Sequence, residues 1–236
     1  MGAARARSRR RGAAPGRGPS RHQLLIVAAA AALAVVALIW AGNVPASETL
    51  ASTSGTDGAR STALVAGDLR GAASAPVTID EWADFQCPAC RSFALGAERE
   101  LLGSYIPNGQ VRVVFHNFAF LGAESEWAAE AAECARDQGR FFDYHDRLYA
   151  AQSGENRGTF TKANLERIAG ELGLDQSFKS CLASDRYLQR VRDEHATGQA
   201  KGVRATPTLF VNGQKMEGAP SADQLRAVID RLLAAR

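Results

Sequence analysis

The feature that most constrains this chain is Phe85-Gln86-Cys87-Pro88-Ala89-Cys90-Arg91, a Cys-x-x-Cys set where a strand-like run, Val77 to Phe85, gives way to a helix-like one. A cysteine at the first turn of a helix faces unpaired backbone N–H groups and the positive end of the helix dipole, and both favour thiolate over thiol. Cys87 is therefore the candidate nucleophile. Pro88 suits the first helical turn, where a missing N–H costs nothing, and the spacer brings Cys90 one turn on, within reach of a disulfide to Cys87. Cys90 is then the resolving thiol. The competing use of such a pair is half of a zinc site. No second Cys-x-x-Cys or His-x-x-x-His accompanies it, however, and Cys134 and Cys181 stand alone on helical segments.

A second stretch, more than a hundred residues on, points the same way: Thr206-Pro207-Thr208-Leu209-Phe210-Val211-Asn212-Gly213 reads as a proline heading a strand that ends in an Asn-Gly hairpin turn. Cys-Pro-x-Cys after a strand, followed much later by Thr-Pro before a hairpin, resembles the thioredoxin superfamily. The resemblance implies a cis proline at Pro207 lying against the active-site disulfide, with Thr206 offering backbone atoms to a substrate strand.

At 236 residues with 46% hydrophobic composition, the chain has room for one sizeable domain plus appendages. Its net charge of +3 is unevenly spread: residues 1–23 hold seven arginines and no acid, which leaves a net of −4 for the remainder. The basic balance belongs to a tail, and nucleic-acid binding is not expected of the body. Leu24 to Trp40 is then an unbroken apolar run of 17 residues, extending to Gly42. That is close to what a hydrocarbon layer of about 30 Å needs. Arginines before the run and none just after it put the N-terminus in the cytoplasm. Val44-Pro45-Ala46 would suit a cleavable secretory signal, but the apolar core exceeds the usual length of one, which favours an uncleaved anchor at 24–42. Either way the body is exported. Residues 43–73, rich in Ser, Thr, Gly and Ala, read as a flexible tether with a reach on the order of 30 Å, in which Leu64-Val65 could start a short edge strand.

The body, 74–236, opens with a strand on which Val77, Ile79, Ala83 and Phe85 share a face with Glu81. A carboxyl buried there has a raised pKa and can exchange a proton with the resolving thiol; the alternative is a hydrated strand end. Arg91 to Leu102 continues the first helix, and Val111 to His116 is a second strand. Four helical patterns follow, at Ser125 to Asp137, Phe141 to Gln152, Lys162 to Gly173 and Asp185 to Lys201, with Thr161 and Asp175 as N-cap candidates. Ser221 to Gln224 has a capping-box pattern at the start of a last helix, whose core face is Leu225, Val228, Ile229 and Leu232.

A helical block of about 122–201 between the second strand and the Thr-Pro hairpin resembles the DsbA-like oxidoreductases, an α/β thioredoxin fold with an inserted helical subdomain. The resemblance covers Ala75 to the C-terminus and rests on Asp84-Phe85-Gln86-Cys87-Pro88-Ala89-Cys90, on Glu133-Cys134-Ala135 with Gln138-Gly139-Arg140-Phe141-Phe142-Asp143, on Gly202-Val203-Arg204-Ala205-Thr206-Pro207-Thr208, and on Phe210-Val211-Asn212-Gly213. Glu81 stands six residues before Cys87, where such proteins often carry a glutamate. Ala89 departs from the best-known members, which have a histidine that helps stabilise the thiolate.

An exported domain with four cysteines favours even pairing, so Cys134 and Cys181 are expected to form a structural disulfide, the alternative being two buried free thiols. His116, His145 and His195 receive no role. The resulting expectation is a membrane-anchored, extracytoplasmic thiol–disulfide oxidoreductase that oxidises reduced exported proteins without a cofactor or metal. By resemblance, its reoxidising partner is a quinone-linked membrane protein of the DsbB or vitamin-K-epoxide-reductase type. The alternatives are a reductase or isomerase of the same fold, a non-catalytic peptide-binding module, and a metal handler using Cys87 and Cys90 as soft ligands.

Overall fold

The computed structural model describes residues 69–235. Strands β2 (Val77–Ala83) and β3 (Val111–Asn117) carry β-branched residues on alternating buried positions, the pattern that suits a pleated, half-buried surface. They pair in parallel, from Val77 opposite Val111 to Ala83 opposite Asn117. Such pairing requires a crossover, and here it is helical: α1 (Pro88–Phe93), a wide π-turn (Ala94–Glu98) and α2 (Arg99–Tyr105). Strand β4 (Thr208–Val211) lies antiparallel on the other side of β2 and forms a hairpin with β5 (Gln214–Glu217). The hairpin turn uses Asn212 and Gly213 at φ of 44° and 84°, a backbone region that Asn and Gly reach at least cost. Asn212 also binds Thr78 N–H at 2.7 Å and the Pro76 carbonyl at 3.1 Å, fixing the hairpin to β2.

Between β3 and β4 five helices are inserted: α3 (Ala123–Arg136), α4 (Phe141–Ala151), α5 (Lys162–Glu171), α6 (Gln176–Ala183) and α7 (Leu188–Ala200). The sequence patterns gave four. The fifth, α6, is short and begins at Asp175, whose side chain accepts from Ser177 N–H. Asp185 does not start the following helix as expected; it sits at φ 51° in the turn before α7. Helix α8 (Ala222–Ala234) closes the chain with the Ser221–Gln224 capping box in place.

Strand β1 (Leu69–Gly71) runs antiparallel along β3, completing a sheet of order β1-β3-β2-β4-β5. It falls inside the stretch read as tether, 43–73, and corrects the end of that reading. Three residues hold too little alternation to be read as a strand. The basic tail, the apolar run at 24–42 and Leu64-Val65 lie outside the described residues. Among the described residues no helix is long and apolar enough to cross a membrane.

Two apolar clusters organise the body. One fastens the sheet to α2 and α8 through Val77, Ile79, Val113, Leu101, Leu225 and Ile229. The other fills the helical insertion and continues through Phe85, Phe115 and both motif cysteines, so the reactive turn is built on the seam between sheet and insertion. Cys134 on α3 and Cys181 on α6 are disulfide-bonded inside that second cluster, with Cα atoms 5.8 Å apart. The free-thiol alternative does not describe them.

Helix α7 passes close over the opposite side of the sheet at Gly198, where an added Cβ would stand 2.6 Å from the Phe118 ring and 2.7 Å from that of Trp82. Gly170 in α5 has nothing within 4 Å of the same position. Gly198→Ala is expected to destabilise by about 1–3 kcal/mol through overpacking, and Gly170→Ala to stabilise by about 0.5–1 kcal/mol. Urea melts of the two variants, read as midpoint shifts of opposite sign, check this.

Candidate active site

Strand β2 ends at Ala83, and the chain turns through residues 84–86 into Cys87, which occupies the N-cap position of α1 at φ −70°, ψ 121° with Pro88 following it. The turn is held from three sides. The Asp84 carboxylate accepts from Gln86 N–H at 2.8 Å, from the Ser125 hydroxyl at 2.7 Å, and from Phe120 N–H at 2.9 Å, which ties the turn to the segment entering α3. Gln86 donates to Ser125 Oγ at 2.9 Å and accepts from Asn156 N–H at 2.6 Å. From the end of α4, the Gln152 amide donates to the carbonyls of Phe85 and Cys87 at 2.6 and 3.1 Å. Buried polar groups satisfied this fully impose one geometry on the loop that carries them.

Both thiols are free, Cys87 being 9% exposed and Cys90 0%. The Cys87 sulfur faces the Thr206 carbonyl at 3.4 Å, and the Thr206–Pro207 bond beside it is cis. Thus the structure brings Cys87, Cys90, Thr206 and Pro207 together. A hydrogen bond from the Cys90 thiol, helped by the Thr206 side chain and by the N–H groups of Cys90 and Ala89, lowers the Cys87 pKa to about 6 against the opposing effect of burial. Burial pushes Cys90 well above the ordinary thiol range, and the hydrogen bond to Cys87 and the charge there push it further. One sulfur is an anion near neutral pH, and the other is a fully buried thiol.

Glu81 is 1% exposed and neither carboxyl oxygen has a hydrogen-bond partner, so the hydrated strand end does not describe it. Burial first, and then the nearby Glu98, hold its pKa well above the usual carboxylate range. The sequence reading gave no role to Asp84, Gln86 or Gln152 and did not single out Glu98 or Arg70. Asp84 and Gln86 adjoin the motif, but nothing in a linear pattern signals that Gln152, 65 residues from Cys87, donates to its carbonyl.

The histidines lie apart from this chemistry. His116 is stacked on Trp82 at 4.3 Å between Asp80 and Glu194, and although burial opposes its charge, those two carboxylates raise its pKa to about 9. His145 is buried and kept in the neutral form by burial. His195 packs edge-on against Phe118.

Residues 65–231 match the family described as Thioredoxin. The chain belongs to that family. It is 33% identical over 165 residues to a probable disulfide bond formation protein D of Bacillus anthracis, covering 67% of this chain and 75% of that protein. Oxidised BdbD from Bacillus subtilis superposes with a TM-score of 0.67 at 25% identity, over 72% of this chain and 95% of that one. Reduced DsbG from Mycobacterium tuberculosis gives 0.61 at 26% identity, over 72% and 90%. The Na(+)/H(+) antiporter NhaA 3 of Salinispora tropica is 37% identical over 164 residues, and there the chain spans only 24% of that protein's length. Within the thioredoxin family this protein is a thiol–disulfide oxidoreductase of the DsbA-like kind.

The asymmetry of the two thiols has a direct readout. Alkylation of the reduced protein by iodoacetamide is expected to modify Cys87 with a pH midpoint of about 6 and to leave Cys90 unmodified until the protein unfolds. Mass spectrometry of the alkylated peptides across pH 4–9 checks both; equal labelling of the two cysteines contradicts the assignment.

Proposed function

We propose that the protein introduces disulfides into exported proteins through the Cys87–Cys90 pair. The observation that carries this reading is the unequal chemistry of the two sulfurs. A substrate thiolate attacks Cys87 Sγ of the Cys87–Cys90 disulfide, the S–S bond breaks, and its electron pair stays on Cys90, which takes a proton. Glu81 is the donor of that proton. The substrate's second thiolate then attacks the substrate sulfur of the mixed disulfide and expels Cys87. Expulsion is favoured because Cys87 is a good thiolate leaving group, with a pKa of about 6. The substrate loses two electrons and the enzyme gains them. Thr206 and Pro207 form the rest of the contact surface, with the Thr206 carbonyl already directed at the reacting sulfur.

The low Cys87 pKa supports the oxidising direction, because whatever stabilises the thiolate stabilises the reduced enzyme relative to the disulfide. It arises without a histidine at Ala89, through the Cys90 thiol, Thr206 and backbone N–H groups. The apolar run at 24–42 and the arginines before it support an anchored protein whose body works outside the cytoplasm, on a tether that ends at Leu69. The match to a segment of proteins named as antiporters agrees with a domain that works beside a membrane. Reoxidation then falls to a quinone-linked membrane partner of the DsbB or vitamin-K-epoxide-reductase type.

The metal-handling alternative would use Cys87 and Cys90 as equivalent soft ligands, and the unequal protonation of the two sulfurs favours exchange chemistry instead. Purely non-catalytic peptide binding leaves the depressed Cys87 pKa without a use.

Trapping tests the proposal. Cys90→Ala expressed in full length in a bacterial host is expected to accumulate mixed disulfides between Cys87 and exported proteins, resolved by dithiothreitol on diagonal gels. Cys87→Ala should accumulate none. Capture of cytoplasmic proteins alone, or equal trapping by both variants, contradicts the proposal.

A further inference from the structure

Four carboxyl oxygens stand in the interior behind the dithiol with no hydrogen-bond partner, both of Glu81 and both of Glu98. Glu98 is 2% exposed, although its neighbours Arg99 and Glu100 face solvent. The local reason is the π-turn Ala94–Glu98, which adds a residue to the helix between the buried Phe93 and the buried Leu101. Turns of this kind are frequent at functional sites. An ionised carboxylate without partners in an interior is very costly, so a proton stays, and two such groups acting on each other titrate as a pair.

The charged and titratable groups that act on the two glutamates and their neighbours come from several elements. From β1 comes Arg70, from α4 come His145, Asp146 and Tyr149, from α1 Cys90, and from the β2–α1 turn Asp84. The Tyr149 hydroxyl, 3.5 Å from the Asp84 carbonyl, has its pKa raised by burial first and then by Cys90, Glu81, Asp84 and Glu98, which puts these four groups in its neighbourhood. Arg70 is the countercharge for both glutamates, with Asp146 opposing it. Arg70 and Asp146 are ion-paired at 2.7 Å, and they line a cleft of about 380 Å³ open to solvent, together with Arg99, Arg147 and Tyr149.

We infer that Glu98 and Glu81 work as one carboxylic-acid pair that passes a proton to and from Cys90, with the Arg70–Asp146 cleft as the pair's opening to water. Glu98 is the positioning partner: burial raises the Glu81 pKa first, the charge that Glu98 carries when it ionises raises it further, and Arg70 opposes both. The inference rests on the reading of Glu81 as proton donor. When the Cys87–Cys90 bond breaks, the pair gives one proton to the Cys90 sulfur and is left with one more negative charge beside Arg70. When Cys90 later attacks the mixed disulfide formed on Cys87 during reoxidation, its proton returns to the pair and the partner's thiolate departs.

The test combines two readouts on the full chain. Carboxyl carbon NMR of the protein labelled at glutamate follows the two titrations. Stopped-flow oxidation of a dithiol peptide across pH 5–9 follows the step in which Cys90 leaves. In Glu98→Gln the Glu81 resonance is expected to titrate at lower pH than in the parent, and the alkaline fall in rate to move down with it, slowing the reaction at pH 8 by about tenfold. Glu98→Asp should restore both. A Glu81 midpoint unmoved by Glu98→Gln overturns the pairing and leaves the role of Glu81 standing. An alkaline limb unmoved by Glu81→Gln, with the NMR coupling present, overturns the proton-donor reading and with it the service to Cys90. Should Glu98→Gln not fold, Arg70→Gln decides: both carboxyl midpoints should rise together, and a rise in one or neither overturns the pairing.

Discussion

The influence of the Cys90 thiol on the Cys87 sulfur is the interaction on which the rest of the site depends. It is the largest single influence lowering the Cys87 pKa, and it adds to the burial that raises that of Cys90. An influence of this kind needs two side chains one helical turn apart, with the first at the helix start, which Pro88 enforces by filling a position where no N–H is required. It also needs the turn before the helix to hold still. Asp84 fixes that turn to the start of α3, Gln152 fixes it to the end of α4, and the Thr206 carbonyl closes the third side. The helical insertion is therefore a support for the reactive turn as well as a cover over the sheet.

The same geometry explains a cost that the fold tolerates. Glu81 and Glu98 are buried without partners, which is destabilising unless they hold protons. Residues that break a local rule and persist are expected where chemistry needs them. In the proposed mechanism that chemistry is the proton Cys90 gains during exchange. Arg70 moderates the pair from β1, the shortest strand of the sheet.

What the sequence made legible was local or strongly patterned. The thiol pair, the Thr-Pro before a hairpin and the inward parity of Glu81 each follow from spacing within a few residues, and the long helices follow from their period. Features set by tertiary contact were not legible. Strand β1 is three residues in a Ser, Gly and Ala-rich stretch, and it exists because β3 offers a free edge. Glu98 reads as a surface residue in the run Glu98-Arg99-Glu100 until the π-turn rotates it inward. Gln152 reads as the last residue of a helix, and its role appears only when the insertion folds back over the motif. Asp185 looked like a helix start because its preference for caps and its tolerance of positive φ have the same origin, a short polar side chain.

The central claim is that this dithiol is arranged to oxidise, and the relative stability of its two redox states tests that most directly. A Cys87 pKa of about 6 in the folded protein, against about 8.5 for an unfolded thiol, stabilises the reduced form. That contribution is full above about pH 8.5 and is lost as pH falls through about 6. Urea melts of the Cys87–Cys90 oxidised and reduced forms, with Cys134–Cys181 closed in both, are expected to show the reduced form more stable at pH 7, with a gap that narrows by pH 5. An oxidised form more stable at pH 7, or a gap that widens in acid, would contradict the account.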